Sequence, residues 1–163
     1  MTMEYKTNVM RILDKNKIKY NVYNYVNSDA ISGLDVAAFL NEDPNRVFKT
    51  LVTVGKSNNY YVFVLPVNEE LDLKKAAYSV TEKNVEMVKS KDLLSLTGYI
   101  HGGCSPIGMK KMFKTVFHYT AKDYEMIMFS AGKIGYQVEM NISDLKKIID
   151  YKLDDIVSNS ELK

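Results

Sequence analysis

Apolar positions along this chain switch between two periods, and the switching lays out an order of elements. Val9, Met10, Ile12 and Leu13 follow a helical spacing among charges and predict a helix from Met3 to Lys15 that stops near Asn16. "KYNVYNYV" then alternates Tyr20, Val22 and the Tyr23/Tyr25 pair as a strand would, and "SGLDVAAFL" offers Ser32 as cap of a second helix carrying Leu34, Val36, Ala37 and Leu40. Asp43-Pro44 opens a turn into "VFKTLVTVG", whose β-branched residues favour a strand, and "KSNN" turns the chain into "YYVFVLPV" to complete a hairpin. Leu71 to Tyr78 reads as a helix and "VEMV" as a short strand, while Ser90 can cap a helix through Leu93, Leu94 and Leu96 that ends at Gly98. "TVFHYT", "EMIMFS" and "GYQVEM" predict three more strands, and "NISDLKKIIDYKL" a closing helix capped by Asn141, with a polar tail from about residue 157.

Helices and strands are interspersed, yet hairpins are frequent, which predicts an α+β fold with a mixed sheet rather than a doubly wound parallel one. The 163 residues are expected to form a single domain, long enough to bury one core without disulfides or a structural metal. One cysteine rules out an internal disulfide framework, no CxxC or paired Cys/His spacing suggests zinc, and a reducing cytoplasm fits best. Charges interrupt the N-terminal twenty residues, so neither a signal-peptide core nor a membrane span can be placed there. A formal charge of +2 is too small to argue for a nucleic-acid partner by itself, so local patches must meet any such partner.

Candidate chemistry begins with "GYIHGGCSPIG" (98–108), which holds four of the eight glycines, one of the three prolines and the only cysteine. Glycines allow close backbone approach and proline stiffens the segment, so the loop is either a shaped cradle or a connecting turn. It is not a Walker A loop: Gly103 and Gly108 have the spacing, but Met109-Lys110-Lys111 stands where Gly-Lys-Ser/Thr should follow. Cys104 is a conceivable nucleophile with only His101 and His118 as imidazole bases, and sequence proximity guarantees no geometry. Lys49 interrupts an apolar strand, either on a solvated face or as a cation projecting into a cleft toward a phosphate or an oxyanion. "FSAGKIGY" is a second small-residue loop, with Ser130, Ala131, Gly132 and Gly135 around Lys133, and the two loops could face one ligand or be ordinary turns. The pairs Lys74/Lys75, Lys110/Lys111 with Lys114, and Lys146/Lys147 are solvated faces unless they flank a cleft.

Taken in order, "VFKTL", "LPVNEELDLKKAA", "VEM", "TGYIHGGCSPIG" and "FSAGKIGYQVEM" resemble the YbaK/EbsC family of stand-alone aminoacyl-tRNA deacylases, which is related to the editing domain of bacterial prolyl-tRNA synthetase. The resemblance runs from the first helix to about Ile156 and implies a mixed, largely antiparallel curved sheet flanked by helices. It also implies a cysteinyl-tRNA(Pro) deacylase that needs neither cofactor nor metal, takes the 3′ end of tRNA(Pro) as partner and gains tRNA specificity from prolyl-tRNA synthetase. Lys49 matches the principal catalytic lysine, Ser130 the serine opening the second loop, and Gly102 and Pro106 the Gly-x-x-x-Pro pattern; Gly103 joins the catalytic set. Tyr25, Thr50, Gly98, Ser105, Pro106 and Gly132 are the implied substrate-binding positions. In this family the substrate cysteine's own thiol is thought to attack its carbonyl, which leaves Cys104 unnecessary. Cys104 stands where relatives often have an aliphatic residue, Gln137 where they can carry aspartate, and Ile134 where they can carry arginine. Alternatives are a deacylase for alanyl-tRNA(Pro) or another mischarged tRNA, and a non-catalytic module that binds tRNA ends or a synthetase.

Overall fold

The computed structural model describes residues 5–30 and 32–158. Helix α1 (Asn8–Lys15) begins where Thr7 Oγ1 accepts the Met10 N–H at 3.2 Å, and it buries Val9, Met10 and Leu13. The expected start at Met3 lies outside the described residues, and Tyr5 and Lys6 ahead of the cap are not helical. Strand β1 (Asn21–Asn24) leads to α2 (Gly33–Phe39), where Ser32 Oγ accepts the Asp35 N–H at 3.1 Å as the expected cap. The hairpin β2 (Phe48–Gly55) and β3 (Tyr60–Pro66) runs in register from Phe48 opposite Pro66 to Val54 opposite Tyr60. Then come α3 (Leu73–Ser79), capped by Asp72, strand β4 (Val85–Met87) and α4 (Ser90–Thr97). Lys89 rather than Ser90 holds the N-cap position of α4, with no side-chain hydrogen bond, so that helix start rests on packing of Leu93. Strands β5 (Lys114–His118), β6 (Ile127–Ser130), β7 (Tyr136–Met140) and β8 (Tyr151–Asp154) complete the order.

The α+β class is borne out, with the strands divided between two sheets. One is mixed, in the order β4-β2-β3-β5-β8, with β3/β5 and β5/β8 parallel; the other is antiparallel, β1-β7-β6. The closing α-helix is corrected: Ile142–Lys147 is a 3-10 turn capped by Asn141, and Tyr151–Asp154 is a strand beside β5. Ile142, Leu145 and Ile149 kept a helix-like spacing, but Tyr151 and Leu153 flank Lys152 at the period of a strand, and pairing with β5 satisfies that backbone.

Alternation on β2 and β3 sorts their side chains between two layers. Phe48, Val52, Val62 and Val64 enter the main core, together with Phe129, Val138 and Met140 of the second sheet and α1. Phe63, Leu65 and Val116 face the other way, under Ala76 and Ala77 of α3. A third cluster of Ala37, Val47, Val67 and Met128 seals the place where β2 meets β6.

Candidate active site

β2 and β6 join in one parallel bridge, Val47 with Met128, in which the Met128 N–H donates to the Arg46 carbonyl at 2.9 Å. Two residues further along each strand, and so on the same faces, stand Lys49 and Ser130. Gln137 is directly opposite Ser130 in the β6/β7 ladder and shares its face. Lys49 is half-buried and makes no hydrogen bond or ion pair among the described residues. Burial lowers the pKa of its ammonium below the ordinary 10.5, an effect that the charges of Glu70 and Glu69 oppose without cancelling. Ser130 Oγ accepts the Gly132 N–H at 3.1 Å, and the buried Gln137 Oε1 has no partner among the described residues. A buried amide oxygen without a donor is costly, and here it lies beside Ser130 at the mouth of the sheet junction.

The two small-residue loops touch. A Cβ on Gly103 would stand 3.2 Å from Ile134 N and 3.5 Å from the Lys133 backbone, and one on Gly102 would meet the Ile134 side chain at 3.6 Å. Gly132, at φ +90°, leaves 3.0 Å to the Tyr99 ring for such an atom. Tyr99 is buried between the loops and donates its hydroxyl proton to the Ile107 carbonyl, which fixes the far end of the first loop. Tyr25, just after β1, donates its N–H to the Gly135 carbonyl at 2.8 Å and ties that strand to the second loop. The Gly103 N–H is taken by the Ile100 carbonyl at 3.0 Å, and that of Gly132 by Ser130; those of Gly102 and Ile134 have no partner among the described residues.

Lys49, Ser130, Gly102, Gly103, Gly132 and Tyr25 are thus linked in one region through the sheet junction and the second loop. Other expected positions sit elsewhere. Thr50 shares the face of Phe48 and Val52, opposite to Lys49, and its Oγ1 is buried without a partner among the described residues. Gly98 ends α4 at φ +86°, its N–H donating to the Leu94 carbonyl at 2.8 Å. Ser105 is fully buried, with Oγ accepting the Ile107 N–H, and Pro106 borders a groove of about 200 Å³ beside Ile12 and Phe113. Burial pushes the Cys104 thiol up to about 12, and neither histidine hydrogen-bonds to it among the described residues; His118 instead accepts the Ile156 N–H through Nδ1. No cluster of three or more His, Cys, Asp or Glu among the described residues could hold a metal ion.

Residues 30–148 match the family model of the aminoacyl-tRNA editing domain. The chain belongs to this family. It is 48% identical over 136 residues to the Enterococcus faecalis protein named "Putative Cys-tRNA(Pro)/Cys-tRNA(Cys) deacylase EbsC", covering 83% of each chain. It is 25% identical over 122 residues to a proline–tRNA ligase of Lactobacillus helveticus, covering 75% of this chain and 21% of the ligase. The solved structure of a "putative trans-editing enzyme for prolyl tRNA synthetase" shares the fold at TM-score 0.81 and 18% identity, over 96% of this chain and 100% of that one.

The editing domain is a hydrolase of aminoacyl-tRNA, the class that the family resemblance implied. Two of its organising features escaped the sequence pattern. Tyr99 holds both loops yet looks like any apolar loop residue. Arg46 pairs with Glu139 at 2.6 Å and Glu42 at 2.5 Å and donates to the Met126 carbonyl at 3.2 Å, bracing the sheet junction from positions far apart in sequence. The one legible signal was Glu42 and Arg46 at i and i+4.

Proposed function

We propose that this editing domain acts in trans as a deacylase of mischarged cysteinyl-tRNA(Pro), with Lys49 as its central catalytic residue and the substrate's own thiol as nucleophile. The observation that carries the reading is the half-buried ammonium of Lys49, unpaired among the described residues and in step with Ser130 where the two sheets part. A cation kept without a partner in a half-buried place is costly to the fold and suits a site that waits for an anion.

In this reading the thiol sulfur bonds to the ester carbonyl carbon and the carbonyl oxygen takes up negative charge. Collapse breaks the carbon–oxygen bond to the ribose, the ribose oxygen takes the proton released by the thiol, and water opens the resulting thiolactone to free cysteine. Lys49 anchors the terminal ribose-phosphate or stabilises the oxyanion, and the free N–H of Gly102 is the loop donor best able to assist it. Ser130, Gln137 and Tyr25 shape the pocket that turns the thiol toward the carbonyl, the main catalytic task when the nucleophile is part of the substrate. Cys104 takes no part. The relationship to proline–tRNA ligases supports prolyl-tRNA synthetase as the partner that delivers the tRNA, and a tRNA substrate supports a cytoplasmic site of action. The single domain expected over residues 1–163, with its polar tail from about 157, is the unit to which we assign this activity.

Lys49→Ala tests the reading: release of cysteine from cysteinyl-tRNA(Pro) should fall at least a hundredfold, with the folded state intact by circular dichroism. Unchanged turnover would remove Lys49 from the mechanism. Loss of all release in the wild type with tRNA binding retained would favour the non-catalytic binding module.

A further inference from the structure

Beside the second small-residue loop, a groove of about 1000 Å³ runs along β1, the outer strand of the three-stranded sheet, between that strand and α1. Tyr5 and Tyr136 stack at its wall with ring centroids 5.1 Å apart and planes at 27°, and Tyr5 is 49% exposed. Lys133 of the second loop reaches over the Tyr5 ring, 4.6 Å from its centroid, with Nζ 3.1 Å from the hydroxyl. Lys133 thus links the Tyr5 wall of the groove to the loop contact, since Gly103 packs against the backbone of Lys133 and Ile134.

The chain flanking this groove is strongly basic. Residues 5–21 contain Lys6, Arg11, Lys15, Lys17 and Lys19 against one acid, Asp14, although the whole chain has 22 basic to 20 acidic residues. Asp14 is occupied by Lys6 at 2.7 Å and by the Tyr20 hydroxyl at 2.9 Å. Arg11, Lys15, Lys17 and Lys19 are exposed and form no ion pair among the described residues. A half-exposed aromatic pair beside cations of this kind is a combination that holds single-stranded nucleic acid: bases stack on the rings and phosphates follow the charges.

We propose that this groove binds the single-stranded 3′ end of the tRNA, a nucleobase stacking on the Tyr5/Tyr136 pair and the backbone phosphates running past Lys19 toward Lys15 and Lys17. The inference rests on the deacylase reading for the identity of the RNA, and it adds the surface by which the RNA is held. Grip on the polynucleotide then lies outside the pocket that acts on the ester.

The test separates the two. Tyr5→Ala and Lys19→Glu alter exposed side chains, so folding should survive, as circular dichroism would verify. A fluorescein-labelled single-stranded oligoribonucleotide ending in CCA, titrated by anisotropy, should bind wild type and lose affinity roughly tenfold in each variant. The salt dependence should become shallower in Lys19→Glu. Hydrolysis of cysteinyl-adenosine, which lacks the preceding nucleotides, should be the same in all three proteins. Equal oligonucleotide affinity in wild type and variants, or no binding by wild type, overturns the groove whatever the ester assay shows. Absence of cysteinyl-adenosine hydrolysis by wild type with binding intact overturns the deacylase reading and leaves the groove supported.

Discussion

Lys49 concentrates the conflict between stability and activity in a single side chain. Its folded pKa lies below 10.5 because burial disfavours the ammonium more than Glu70 and Glu69 favour it. A lysine whose folded pKa is lowered costs stability while it is charged in both states, and that cost fades as pH rises through the folded value toward 10.5. Lys49→Met should therefore melt no lower than wild type at pH 7 in a calorimetric scan, and any gain should shrink toward pH 10 while deacylation is lost. A clear fall in Tm at pH 7 would mean that the lysine is structural. The lysine was conspicuous in the sequence because it breaks an apolar run, but its face was not: only the register with β3 and the bridge to β6 put it on the side of Ser130 and set Thr50 on the other.

The contact between the two glycine loops explains why glycine is needed at 103. The obstruction is the backbone of Lys133 and Ile134, which cannot swing aside as a side chain would. Gly103→Ala should push the loops apart by a few tenths of an ångström, lowering kcat for deacylation about tenfold through misplacement of the ester. Tm should fall by only about 2–4 °C for a change of about 1 kcal/mol in a chain of this size. Unaltered kcat would show that the loops need no fixed separation. Both loops were legible as small-residue segments because Gly, Ser and Pro carry local conformational information; their meeting was not, since it depends on Tyr99 and on sheet pairing far along the chain. The final segment failed for a related reason: its apolar spacing suited helix and strand alike, and the free edge of β5 decided.

The mixed and antiparallel sheets share the main core and are joined, among the described residues, at the Val47–Met128 bridge, with Arg46 and Glu139 across it. Burial would raise the Glu139 carboxyl, but hydrogen bonds from Asn21, Arg46 and Tyr23, together with the Arg46 charge, hold it below its ordinary 4.5. A depressed carboxyl contributes stability that is present above pH 4.5 and is lost as pH falls through the folded value. Glu139→Gln should cost about 2 kcal/mol at pH 7, in the range for hydrogen bonds to charged groups, and flatten the acid limb of the stability profile. An acid limb identical to that of wild type would assign the loss to other carboxylates. This brace holds β2 beside β6, and with them Lys49 beside Ser130, so the architecture serves the one arrangement on which the proposed chemistry depends. The most direct test of that chemistry is deacylation of cysteinyl-tRNA(Pro) and alanyl-tRNA(Pro) side by side, by wild type and Lys49→Ala. Release of cysteine but not alanine, abolished in the variant, is the predicted result; equal release of both by wild type would contradict a mechanism in which the substrate thiol is the nucleophile.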